Sequence, residues 1–230
     1  MKHLFRAGAA VMLCLPLAAQ ANMTLDLNQS KTPLANASIT QNAGWSWQNV
    51  GAGTLNGTLD GKSFSTYCVE LNQPLSWSAQ KYSLASFSPA DGDMLNRLYT
   101  VANHKVTDLT SGLAFQLAVW EIVNEAKDNF QVKYAPGASG QFGAANLSST
   151  HQSAYQSANQ WLAEAKSLDA SKITWSTQKL TNGNYQDYVL AAQVPEPETY
   201  AMMLAGLGLM AAITRRRNKN AGKKSGIILS

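Results

Sequence analysis

The sequence predicts an α+β fold, with a β-rich sandwich or barrel-like part and a segregated helical part. Three observations carry this. Residues 22 to 87 are β-rich, with Met23 to Leu27 alternating apolar and polar side chains and glycines punctuating short strands. Three stretches of helical periodicity follow up to Leu168. The alternation then returns around an Asn182-Gly183 turn signal. Strands, then helices, then a hairpin is the order of a domain whose helices lie to one side of its sheet.

Met23 to Leu27 alternates as a half-buried strand does. Trp45 and Trp47 repeat at period two, and Gly51, Gly53, Gly57 and Gly61 separate short strands. A strand is expected over Lys62 to Leu71, with Phe64, Thr66 and Cys68 on one face and Tyr67, Val69 and Leu71 on the other. Ser88-Pro89 is a cap and first turn, leading into Met94, Leu95, Leu98, Tyr99 and Val101. Thr110 or Ser111 is expected to start a helix over Leu113 to Ala126, whose apolar residues cover more than one face and so demand deep burial. A loop is expected over Ala135 to Thr150 and a third helix from about Ser149 to Leu168, with Tyr155, Leu162 and Trp161 inward. Ile173, Trp175 and Thr177 alternate, Asn182-Gly183 predicts a type I′ turn, and Tyr185 to Ala191 returns.

The two ends differ in kind from this body. Met1 to Arg6 is short and basic, Ala7 to Ala19 is apolar apart from Pro16, and Ala19-Gln20-Ala21 presents small residues around one other. That order is a secretory signal peptide cut by signal peptidase after Ala21. At the far end, Pro195-Glu196-Pro197 precedes an apolar stretch from Tyr200 to Ile213 and then Arg215, Arg216 and Arg217. Prolines lack backbone donors and favour an extended segment that a protease cleft binds as a strand. The apolar stretch spans about 22 Å as a helix, short for a bilayer core of roughly 30 Å, and the arginines belong on the cytoplasmic side.

This tripartite end resembles the PEP-CTERM sorting signal. The resemblance implies an exosortase that recognises Pro-Glu-Pro and removes the tail, a transient inner-membrane stage through a transmembrane helix, and delivery to the cell surface or extracellular matrix. The expected division is therefore signal peptide 1–21, body 22–194, sorting signal 195–217 and cytoplasmic tail 218–230.

With the ends set aside, the charge balance reverses. The chain carries 18 basic and 14 acidic residues, net +4. Segment 22–194 keeps 10 basic and 12 acidic ones, near −2. A nucleic-acid binder needs a basic face, which this body lacks. Its 173 residues are enough for one domain with a real core. They are rich in Asn, Gln, Ser, Thr, Ala and Gly, a composition common among extracellular matrix and adhesin modules.

Of the two cysteines, Cys14 leaves with the signal peptide. Cys68 is then a single thiol in an oxidising place, where cysteines normally pair. Gln116 poses a second question, since it shares a helix face with Leu113 and Trp120, and a buried carboxamide is costly without a partner. One event answers both. The Cys68 thiol attacks the Gln116 amide, expels ammonia and leaves an internal thioester. A free cysteine packed as a small hydrophobe beside a backbone-bonded glutamine is the alternative.

Tyr67-Cys68-Val69 and Phe115-Gln116-Leu117-Ala118-Val119-Trp120 resemble the thioester domains of bacterial surface adhesins. There an aromatic-Cys-apolar strand joins a Gln on an apolar helix. The resemblance implies covalent adhesion to a surface amine or hydroxyl nucleophile, with no turnover and no cofactor. Glu70 or Glu121 is a candidate to assist proton transfer.

Two other classes are weighed. A non-covalent matrix protein would hold exopolysaccharide through Tyr and Trp side chains. A Cys-dependent hydrolase would pair Cys68 with His104 or His151, though no protease signature surrounds Cys68. Metal ligation lacks its patterns: there is no Cys-x-x-Cys, and Asp91-Gly92-Asp93 has no remainder of a calcium loop.

Overall fold

The computed structural model describes residues 22–40, 48–125, 130–132, 142–145, 152–194, 202–211 and 213–215. Both signal-peptide sites (Ala19 and Ala21), Trp45, Trp47, His151, the Pro195-Glu196-Pro197 motif, Arg216 and Arg217 lie outside these residues, as does most of the expected loop over 135–150.

The fold is α+β, as the alternation and the helical periodicities predict. Nine strands occur among the described residues: β1 (Met23–Leu27), β2 (Ala35–Thr40), β3 (Gln48–Ala52), β4 (Leu55–Leu59), β5 (Lys62–Thr66), β6 (Gln80–Ala85), β7 (Gly143–Ala145), β8 (Trp175–Thr181) and β9 (Tyr188–Gln193). Six form an antiparallel sheet in the order β5-β4-β1-β6-β8-β9, and three form a second sheet, β3-β2-β7. The hairpin joining β4 to β5 turns on Asp60 and Gly61, both at positive φ, the conformation an Asp-Gly turn supplies.

The six-stranded sheet is nearly closed. Beyond Thr66 the chain leaves β4, whose first residue, Leu55, already faces Thr66. It swings onto β9, where Cys68 and Tyr188 form an antiparallel bridge. Val69 N–H donates to Asp187 O at 2.9 Å and Val189 N–H to Tyr67 O at 3.1 Å. The Thr66 hydroxyl adds a bond to Val189 O at 2.7 Å. The strand expected over Lys62 to Leu71 therefore changes partner at Thr66, and Cys68 sits on the closing seam.

Helices α1 (Pro89–Ala102), α2 (Leu109–Asn124) and α3 (Gln152–Ser167) pack on one another, with α1 against β8 and α2 against β2 and β3. Ser88 caps α1 by accepting from Asp91 N–H, as expected. The start of α2 differs from expectation. Asp108 is its cap, accepting from Ser111 N–H at 2.7 Å, while the Ser111 hydroxyl accepts from Asp108 N–H at 2.9 Å. That reciprocal box places Ser111 at the third helical position and begins the helix at Leu109. Every residue from Gly112 to Ile122 is buried, so α2 is the centre of the core and not an amphipathic surface helix.

Gly112 lets α2 approach the β3–β4 connection. A Cβ there would lie 2.9 Å from Thr54 Oγ1. The Asn182-Gly183 reading also needs correction. A type I′ turn requires positive φ at both positions, and neither residue has it. Asn182 Oδ1 instead accepts from Asn184 and Tyr185 N–H, widening the β8–β9 connection into a loop that reaches Asp187.

Behind the body, residues 202–211 and 213–215 are helical and exposed. Among the described residues no helix is long and apolar enough to cross a membrane. The transmembrane helix expected from the sorting signal is thus not found there, in keeping with the shortness of its apolar stretch.

Candidate functional site

The site is assembled by the register of α2 against the seam. Tyr67 stacks on Phe115 with ring centroids 4.5 Å apart, and Tyr99 meets Phe115 edge-on at 4.9 Å. Tyr67 Oη and Thr54 Oγ1 are 3.1 Å apart. Burial pushes the Tyr67 hydroxyl up to about 12, partly offset by that bond. With Tyr67 fixed on Phe115, the next residue of each segment, Cys68 and Gln116, are brought together.

Gln116 is 1 % exposed. Its Oε1 accepts from Cys68 N–H at 2.9 Å, and its Nε2 donates to Cys68 O at 2.9 Å. In the Cys68–Tyr188 pair the ladder bonds run through the flanking residues, so the amide group and carbonyl of Cys68 itself point away from β9. The Gln116 carboxamide satisfies both, as a neighbouring strand would. Sequence reasoning thus places these two residues together, and the structure adds that Gln116 holds the Cys68 backbone.

The thiol meets a different amide. Cys68 Sγ lies 2.7 Å from Gln186 Oε1. Gln186 stands in the β8–β9 loop, half-buried, and its N–H donates to Pro74 O at 3.1 Å. Cys68 is buried and free. Burial drives its thiol far above the ordinary value, the reverse of an activated thiolate.

Around this contact stand Asp187, Lys179, Glu70 and Tyr188. Lys179 Nζ and Asp187 Oδ2 are 3.0 Å apart. Burial first, then the Asp187 charge, raises the Glu70 carboxyl above its ordinary value, with Lys179 and the Asp187 backbone N–H acting the other way. Tyr188, opposite Cys68, is fully buried, and its ring lies 5.5 Å from that of Tyr82. Of the two acids singled out by sequence, Glu121 turns elsewhere: its Oε1 accepts from Gln131 N–H at 2.7 Å, tying segment 130–132 to α2.

His104 is exposed on the short helix after α1, where its charge acts on Glu164. No hydrogen bond among the described residues joins His104 to Cys68, whose bonds go to Gln116 and Gln186. Among the described residues no cluster of His, Cys, Asp and Glu is arranged to hold a metal ion.

The residue missed by sequence reasoning is Gln186. Nothing local marks it, and only the pairing of the two segments brings it to Cys68. In an antiparallel pair that sets Cys68 against Tyr188, residues 186 and 188 share the face of Cys68.

Comparison with known families matches residues 193–217 to the PEP-CTERM protein-sorting motif. The match begins at the last residue of β9 and ends at Arg217, so it covers the sorting segment and not the body. It implies an exosortase as processing partner, and export to the cell surface or extracellular space. No curated protein and no solved structure matches the chain.

Proposed function

We propose that the exported body is a covalent surface or matrix adhesin whose internal thioester joins Cys68 to Gln186, with Gln116 holding the Cys68 backbone in place. One observation carries this reading: the 2.7 Å approach of Cys68 Sγ to the Gln186 amide oxygen. The thiol donates to that oxygen, and the carbonyl carbon is one C=O bond, about 1.23 Å, from it. Attack on Gln116 instead would give up its Nε2 bond to Cys68 O as ammonia departs. Thiol addition to the Gln186 carbon, loss of ammonia and formation of the S–C bond yield an electrophile without amide resonance. The sulfur side is buried while the Gln186 side is half-buried, an arrangement that limits hydrolysis yet leaves an approach for an amine or hydroxyl.

Intact mass of the exported protein tests it. The closed form weighs one ammonia less than its sequence, and methylamine restores mass at Gln186 while freeing the thiol. An adduct at Gln116 would keep the thioester but reassign its partner to that helix. Full mass, no adduct and an unconverted Gln186 in the peptide around Asp187 would end the covalent reading.

The non-covalent matrix role draws on a separate feature. An open groove across β4 and β5 is lined by half-buried Phe64 and Trp77 together with Asn28, Lys31, Asn56 and Ser65. Aromatic faces beside amides and hydroxyls are what sugar rings require. Loss of exopolysaccharide retention in Trp77→Ala, with Cys68→Ala fully retained, would favour this role.

A further inference from the structure

We propose that the groove across β4 and β5 is half of a longer cleft, and that the whole cleft takes an uncharged polysaccharide chain; this rests on the non-covalent matrix role above.

The second half lies across a shared border. Lys31, Asn56 and Ser65 line the first groove, of about 560 Å³, and also a second groove of about 580 Å³. Each volume falls within the range of about 300–1,000 Å³ that small-molecule sites occupy. The border is held in place by its own bonds. Asn56 Nδ2 donates to Lys31 O at 2.8 Å, and Ser65 Oγ donates to Asn56 Oδ1 at 2.8 Å. Asn56 N–H donates to Thr32 Oγ1 at 3.0 Å, and Asn56 O accepts from Asn28 N–H at 2.8 Å. A border fixed before a ligand arrives loses little side-chain freedom on binding. Two grooves that meet along three residues suit a polymer, since one sugar unit cannot occupy both at once.

The lining suits sugar rings in both halves. A sugar ring offers C–H faces and a rim of hydroxyls, so it needs apolar surface beside hydrogen-bonding groups. The first groove has Phe64 and Trp77. The second has half-buried Val106 and Leu109 next to Asn103 and Thr107. Tyr67 and Thr54 also line it, with Tyr67 Oη and Thr54 Oγ1 3.1 Å apart. One hydroxyl hydrogen joins that pair, which leaves the other hydrogen and unused lone pairs for a ligand.

Charge decides against an acidic chain. Among the described residues that line the two grooves, the charged ones are Asp26, Lys31 and Asp108. One cation against two anions makes no field that draws in a polyanion. The N-terminus of α2, a place that otherwise favours an anion, is already taken by the Asp108 side chain, which accepts from Ser111 N–H.

The test runs the exported protein through native gels holding a neutral polysaccharide (dextran, galactomannan or hydroxyethyl cellulose) or an acidic one (alginate or hyaluronate). Retention by at least one neutral polymer is expected, unchanged at salt that shortens the Debye length to about 3 Å. Oligosaccharides cut from that polymer should bind more tightly with length until the cleft is filled. Thr107→Trp, at an exposed position, fills the second groove and should abolish that gain. Tyr67→Phe keeps the stack on Phe115, removes one hydrogen bond and should weaken long chains about two- to tenfold. Trp77→Ala should weaken short and long chains alike. Loss of binding in Trp77→Ala, with wild-type length dependence in Thr107→Trp and Tyr67→Phe, would overturn the second half and leave the first groove standing. If Tyr67→Phe does not fold, Thr107→Trp alone decides that point. Retention by acidic polymers only, lost on adding salt, would overturn the uncharged class. No retention of the wild type by any polymer would remove the matrix role and this proposal together.

Discussion

Gln116 and the backbone of Cys68 exchange two hydrogen bonds of 2.9 Å each, so a side chain from the central helix completes the edge of the sheet at its seam. This relationship has a measurable consequence. Gln116→Ala strips two buried backbone groups of their partners, at a cost of about 1–3 kcal/mol for each. Denaturation midpoints of the folded body should fall accordingly, and the Cys68 thiol should become easier to alkylate. An unchanged midpoint would show that the carboxamide is dispensable to the seam.

Trp120 lies on α2, 2 % exposed, with its ring 6.2 Å from that of Phe142. Trp120→Ala leaves a large cavity in the middle of the core and should cost about 3–5 kcal/mol. Chemical denaturation measures it, with the slope expected to stay constant if only stability changes.

The thiol predicts an alkaline limb in the stability profile. Its folded value is raised by burial above the ordinary 9.0. A raised folded value contributes stability that is fully present below the unfolded value and is lost as pH rises through the folded one. A form with the thiol free, such as the methylamine-opened protein, should therefore lose stability on going above pH 9.0, before the buried tyrosines with their ordinary value of 10.0 contribute. Cys68→Ala should lack this first part of the decline. Denaturation midpoints on either side of that pH give the comparison.

Sorting is tested at the motif. Replacing Pro195 and Pro197 by alanine removes the two rings that disfavour helix there, so the exosortase should no longer cut. Fractionation should then find the chain in the inner membrane, and terminal sequencing of exported wild type should end near Pro197. Exported protein still carrying Arg215 would contradict the reading.

The sequence made parts of this structure legible for local reasons. Ser88-Pro89 announces α1 because a cap and a proline at the first turn are short-range chemistry. The burial of α2 follows from apolar residues on all its faces. Cys68 and Gln116 drew attention because a lone thiol and a carboxamide among Leu113, Leu117 and Trp120 are each anomalous where they stand. Gln186 gave no such sign. Within Asn182-Gly183-Asn184-Tyr185-Gln186-Asp187 a glutamine looks like any loop residue. It acquires meaning only through a pairing that spans 118 positions, and periodicity within a window cannot see that. The failure of the type I′ turn has the same origin, since the Asp187 side chain, which accepts from Asn182 N–H at 3.0 Å, shapes that loop from outside the dipeptide.

The position of Gln186 also governs how the molecule would bear a pull. Gln186 precedes β9, and β9 runs directly into Val194 and the sorting segment. In the covalent reading a captured target hangs from Gln186. Tension between that target and the C-terminal end then travels along eight peptide units, from Gln186 through β9 to Val194. The helices, the small sheet and the rest of the barrel lie off this line. Their noncovalent packing would feel little of the load, and no unfolding is needed to transmit it. A target held through Gln116 would instead drag α2, α3 and β8 into the line of force, and each would have to unravel in turn before the chain came taut.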